Sequence, residues 1–149
     1  MLRSIPVCLW QCHEQLDAIE KTEGAGSTFQ LLAPTGKAAE RLRERTGRRG
    51  ETSTVHSFLA SNVWLNDNLT FKRRGGKRED RFATYVIDES SMLSLDLLAT
   101  LFRAINWNSV RRLVLVGDPS QLPLSAAAAF SLIPRGIASL VHKTLHWPA

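Results

Sequence analysis

Tyr85-Val86-Ile87-Asp88-Glu89-Ser90-Ser91-Met92 opens the stretch that decides the fold. An amphipathic segment to Ile105 follows, and then Leu113-Val114-Leu115-Val116-Gly117-Asp118-Pro119-Ser120-Gln121-Leu122-Pro123. The order is strand, acidic corner, helix, strand, acidic loop. Each apolar run is short and ends in carboxylates or small polar residues, the pattern of a parallel strand buried on both faces with its chemistry at the carboxyl edge. That edge is where open α/β sheets bind ligands, and it reads here as a nucleotide site.

Upstream, the apolar residues Val7, Leu9, Trp10, Leu16 and Ile19 predict a helix over Val7 to Thr22, stopped by Gly24-Ala25-Gly26. Phe29-Gln30-Leu31-Leu32-Ala33-Pro34 predicts a buried parallel strand ended by the proline, which has no N–H to donate. Thr35 to Arg45 predicts a helix with Thr35 as N-cap, Ala38, Ala39 and Leu42 on its apolar side, and Gly47 as its stop. Thr54-Val55-His56-Ser57-Phe58-Leu59 predicts a second short helix capped by Thr54, with Trp64 and Leu65 extending the packing.

The sharpest break in composition is a basic insertion at residues 66–83. Its span from Leu69 to Phe82 carries Lys72, Arg73, Arg74, Lys77, Arg78 and Arg81 around Gly75-Gly76. It reads as an exposed β-hairpin or a mobile basic loop within one domain. After Val116 the pattern weakens; Ile137 to Leu145 is a candidate last helix, and residues 124–149 match nothing specific.

The 149 residues, 44% of them hydrophobic, suffice for one domain with its own core. Nineteen Lys and Arg against fourteen Asp and Glu give a net charge of +5 and a pI near 9.8, which favours a polyanionic partner. Cys8 and Cys12 complete no zinc pattern and read as packed thiols. Met1 to Trp10, interrupted by Pro6, is too short for a signal or membrane segment, so a cytoplasmic protein is expected.

Asp88-Glu89 behind a strand fits a Walker-B arrangement. One carboxylate holds Mg2+, usually through water, and its neighbour polarises the attacking water. A strand followed by a capped helix would give the same letters. Gly117 to Pro123 adds a turn, an acid and the neutral amide of Gln121 at the end of the next strand, where an amide can contact a terminal phosphate; the competing reading is a Gly-Asp-Pro turn with a surface glutamine.

Four stretches together resemble the first RecA-like motor domain of superfamily-one DNA helicases, RecD-like branch. Leu32 to Leu42 is similar to motif Ia, Ser53 to Leu59 to the Thr-x-His element, Val86 to Met92 to motif II, and Leu115 to Pro123 to motif III. The resemblance implies a RecA-like parallel sheet of P-loop NTPase type, flanked by helices, with ATP and Mg2+ as cofactors and single-stranded DNA as partner. It implies that Asp88 holds Mg2+ through water, that Glu89 is the catalytic base, and that Gln121 senses the γ-phosphate. Gly117 and Asp118 would join these three around the nucleotide. Pro34, Thr35, Lys37, Thr54 and His56 would line the strand track, although Thr35 and Thr54 would serve equally as plain caps, Lys37 as a solvated lysine and His56 as a packed ring.

The departures from that family pattern are specific. Pro34-Thr35-Gly36-Lys37-Ala38 is not a P-loop: Leu31 stands where the first glycine belongs, and Ala38 where Ser or Thr should follow the lysine. Gly24-Ala25-Gly26-Ser27-Thr28 has no lysine after it. The resemblance therefore implies a sheet incomplete at its amino end, with the phosphate cradle and a second RecA-like domain lying in a missing remainder of the helicase. On that basis the chain alone is expected to be inactive as an ATPase. Two other readings remain open: a non-catalytic nucleic-acid-binding or interaction module, and a metal-dependent nuclease using Asp88, Glu89 and Asp118. The basic clusters Arg41 to Arg49 and Lys72 to Arg81 are either phosphate contacts or solvated faces, and Trp10, Trp64, Trp107 and Trp147 either base platforms or packing.

Overall fold

A computed structural model describes residues 16–18, 20, 21, 28–47 and 50–117. The expectations for Cys8, Cys12, Trp10, Asp118, Gln121, Trp147 and the helix at Ile137 to Leu145 fall outside the described residues.

Four strands form one parallel sheet in the order β2-β1-β3-β4: β1 Phe29–Ala33, β2 Glu51–Thr54, β3 Thr84–Ile87 and β4 Arg112–Leu115. The α/β parallel architecture expected from the apolar runs is the one observed. β1 lies in the interior, with Gln30 opposite Glu51 on one side and Tyr85 on the other. Side chains alternate across the pleat as period two requires. Leu32, Tyr85, Ile87, Leu113 and Leu115 enter one core, whereas Phe29, Leu31, Ala33, Val86, Val114 and Val116 enter the other.

Helices cover both faces. Helix α1, Gly36–Arg45, packs Ala38, Ala39 and Leu42 on the second core, joined there by Leu16 from a helical stretch that includes residues 16–18, 20 and 21. Thr35 caps α1 by accepting from the Ala38 N–H at 3.2 Å. The last turn carries Arg43 and Arg45, favourably placed at the negative end of the helix dipole. Helices α2, Val55–Ser61, and α3, Leu95–Ala104, cover the first core. Their caps are Thr54, accepting from Ser57 N–H at 3.1 Å, and Ser94, accepting from Leu97 N–H at 3.2 Å.

Strand β2 is the element the sequence reading missed. Glu51-Thr52-Ser53-Thr54 has no apolar member because it is an outer strand, and its signal lies in a partner instead. The buried Gln30 side chain donates to Glu51 O and Ser53 Oγ, both at 3.3 Å, tying β2 to β1. Gly50 precedes it at φ +67, where a Cβ would lie 2.6 Å from Phe29 O, so only glycine lets the chain enter the strand there.

The basic insertion is an ordered strap rather than a regular hairpin. A single antiparallel bridge joins Leu65 and Phe71 across an Asn66–Thr70 turn, whose Asn66 N–H donates to Thr70 O at 2.9 Å. Beyond it the strap is pinned to α2 by Lys77 N–H to Asn62 O at 2.8 Å and by Trp64 Nε1–H to Lys77 O at 2.6 Å. Glu79 then bridges to Ile105 just past α3, with Glu79 N–H to Ala104 O at 2.8 Å and Asn106 N–H to Glu79 O at 2.9 Å. Trp64 is buried and Trp107 half-buried with its Nε1–H on Phe102 O at 2.8 Å, so both serve packing.

Candidate functional site

Parallel strands deliver their carboxyl ends to one side of a sheet, and the register fixes their order. Ala33 pairs with Thr54, Leu32 with Ile87, and Ile87 with Leu115. Along the edge the residues at and beyond the strand ends therefore run Thr54 and His56, then Pro34, Thr35 and Lys37, then Asp88 and Glu89, then Gly117. Every described candidate residue lies in this one row. The ladder continues past the strands: Asp88 N–H donates to Leu32 O at 2.8 Å, and Val116 N–H to Ile87 O at 2.9 Å.

Asp88 is 4% exposed. Burial, opposed by the hydrogen bond from Glu89 N–H to Oδ1 at 2.9 Å, pushes its carboxyl up to about 6. The Glu89 charge raises it further, and Arg45 counteracts. A buried acid held at such a cost gains from a cation. Among the described residues no cluster of three or more His, Cys, Asp or Glu could cage a metal. The donor set fits Mg2+, which usually keeps water and phosphate ligands and takes only one or two carboxylates from the protein.

Glu89 adopts a left-handed conformation, φ 48 and ψ 41, costly for a residue with a side chain. What holds it there is the next residue. Ser90 donates twice to Val116 O, from its N–H at 2.9 Å and from its Oγ at 3.2 Å, and so fastens the turn after β3 to the end of β4. Gly117 completes the fit: a Cβ at this position would stand 2.8 Å from Ser90 Oγ and 3.2 Å from Ser91 N. The sequence reading placed Gly117 among the nucleotide-binding residues; the structure adds that it packs closely on Ser90, which that reading passed over. A buried serine directly behind paired carboxylates was the available signal.

On the other half of the row, Thr35 and Lys37 are exposed and Pro34 half-buried at the start of α1. Thr54 Oγ1 accepts from Ser57 N–H and lies 2.9 Å from Ser57 Oγ; His56 is exposed beside Phe71, with ring centroids 6.1 Å apart. Both threonines thus work as caps, and the side chains free at the surface are Lys37 and His56.

The opposite, amino edge is closed by charge. Glu79 is buried, and Arg81 grips both its oxygens at 2.9 Å while reaching Glu51 Oε1 at 3.3 Å. That clasp holds the Glu79 carboxyl below its usual range in spite of burial.

A helix-flanked parallel sheet with paired carboxylates at its carboxyl edge defines an α/β domain of P-loop NTPase type. A family model described as "AAA domain" matches residues 8–127, and the chain belongs to that family. It is 36% identical over 136 residues to RecBCD enzyme subunit RecD of Mycolicibacterium smegmatis, covering 78% of this chain and 23% of that protein. It is 37% identical over 101 residues to the ATP-dependent RecD2 DNA helicase of Deinococcus radiodurans, covering 68% and 13%. A similar likeness, 34% over 130 residues, joins it to a probable conjugal transfer protein TraA of Sinorhizobium fredii, covering 87% and 11%. The chain thus spans less than a quarter of the length of these relatives. Among the described residues no helix is long and apolar enough to cross a membrane.

Proposed function

We propose that this chain is motor-domain sequence of a RecD-type, ATP-dependent DNA helicase that translocates on single-stranded DNA. The observation that carries the reading is the row at the carboxyl edge. Hydroxyl, lysine and imidazole groups end β2 and β1, paired carboxylates end β3, and a glycine turn ends β4. A strand of DNA on the first half and a nucleotide on the second would touch one continuous sheet edge.

In that role Asp88 would hold Mg2+ through water, and Glu89 would accept the proton of the water that attacks the γ-phosphate. Bound Mg2+ supplies neutralisation of the charge on the phosphate oxygens. Gln121 would sense the terminal phosphate, and Gly117 and Asp118 would join it in binding the nucleotide. Pro34, Thr35, Lys37, Thr54 and His56 contact the DNA strand, Lys37 by charge and His56 by its exposed ring. A P-loop and a second RecA-like domain would complete such a motor.

The test is a chimera in which this chain replaces the matching stretch of the Deinococcus radiodurans helicase. Turnover of ATP stimulated by single-stranded DNA is expected, with Glu89→Gln lowering it by about 10²–10⁴-fold. Stimulated turnover that survives Glu89→Gln would refute the assignment.

A further inference from the structure

The strap and α3 enclose a groove that no part of this proposed mechanism uses. Its cavity is about 740 Å³, walled on one side by Phe71, Lys72, Arg73 and Arg74 and on the other by Arg103, with Asp96 as its one acid. Arg73 and Arg74 are exposed, and Lys72 and Arg103 half-buried. Among the described residues none of these four cations makes a salt bridge. Four like charges gathered around one cavity, three on the strap and one on α3, repel one another, and Asp96 offsets only one of them unless a further anion joins.

Position supplies the second argument. Phe71 lines the groove and also stands 6.1 Å, ring centroid to ring centroid, from His56 on the carboxyl edge. The strap and α3 then run together toward the amino edge, where Glu79 pairs with Ile105. Phe71 thus stands between the groove and the edge row. A run of cations beside a half-buried aromatic ring suits a single strand, whose phosphates need charge and whose unpaired bases can stack on the exposed part of the ring.

We propose that the groove between the strap and α3 is a second binding site for the phosphodiester backbone of single-stranded nucleic acid, entered from the carboxyl edge past Phe71. The proposal rests on the reading of that edge as a strand track, and its test separates the two.

Binding of the 149-residue chain to an oligothymidylate of about 20 nucleotides, longer than the roughly 4–16 nucleotides a single such site occupies, is measured over a salt series. The double substitution Arg73→Ala with Arg74→Ala is expected to weaken binding roughly tenfold at low salt and to flatten the slope of log affinity against log salt by about 1.4. The charge-matched control, Arg78→Ala with Arg111→Ala, changes exposed cations outside the groove and is expected to leave the affinity within about twofold. Asp96→Asn, which removes the groove's acid, is expected to tighten binding.

Equal losses in the groove variant and the control, absence of binding by the unaltered chain, or a preference for blunt duplex of the same length would each overturn the groove. Lys37→Ala reports on the edge by itself. If Lys37→Ala weakens binding while the groove variant matches its control, the edge reading stands and the groove falls. If only the groove variant weakens it, the groove stands and the edge assignment falls.

Discussion

At Asp88 the fold places a carboxyl where it prefers to stay protonated. Its folded value of about 6 lies above the ordinary 3.8, so the folded chain holds this proton more tightly than the unfolded chain does. The resulting stability is fully present below about pH 4 and is lost as pH rises through 6. Asp88→Asn removes that dependence. Urea denaturation is expected to show the variant more stable than the parent by about 3 kcal/mol at pH 7.5 and nearly equal to it near pH 4. Glu89 stores strain of another kind. Glu89→Gly makes its left-handed backbone ordinary and is expected to raise stability by about 1 kcal/mol while abolishing turnover in the chimera. The adjacent pair could be picked out in the sequence because a second acidic loop, from Gly117 to Pro123, ends the next apolar run. Their unequal environments could not, since burial and backbone sign are set by neighbours on β1 and β4.

Among the elements, two close approaches test the packing. Gly117→Ala would drive a methyl group to 2.8 Å from Ser90 Oγ, and a loss of about 1–3 kcal/mol is expected in thermal unfolding. Ser90→Ala combined with it should recover part of that loss, a non-additivity that a double-mutant cycle reads directly. Gly76→Ala would drive its methyl group into the Trp64 ring. It should detach the strap from α2, seen as faster exchange of the Lys77 amide that now donates to Asn62 O. The strands β1, β3 and β4 and the helices α1 and α2 could be read from the chain because apolar spacing and Thr caps encode them locally. β2 could not: an outer strand of Glu, Thr and Ser is specified by the Gln30 amide and by Gly50, both outside its own four residues. The strap likewise looked like a loop because its order comes from Trp64, Asn62 and Ala104, none of which belongs to it.

For the molecule as a whole, the sheet order has a consequence for how the chain finds its fold. β1-α1-β2 and β3-α3-β4 are two local crossovers, with strands only 21 residues apart at the Gln30 to Glu51 contact. The two crossovers meet along one seam, β1 against β3, whose closing contact from Thr28 to Ala83 spans 55 residues. Closing a long loop is entropically costly before its contacts form, so each crossover should assemble before the seam does. Substitutions at Leu31 and Val86, which face each other across it, are therefore expected to speed unfolding more than they slow refolding, whereas Leu42→Ala inside the first crossover should slow refolding. The seam has the residues proposed for DNA on one side and those proposed for the nucleotide on the other. The last joint to close in folding is thus also the line across which a motor would have to pass its signal.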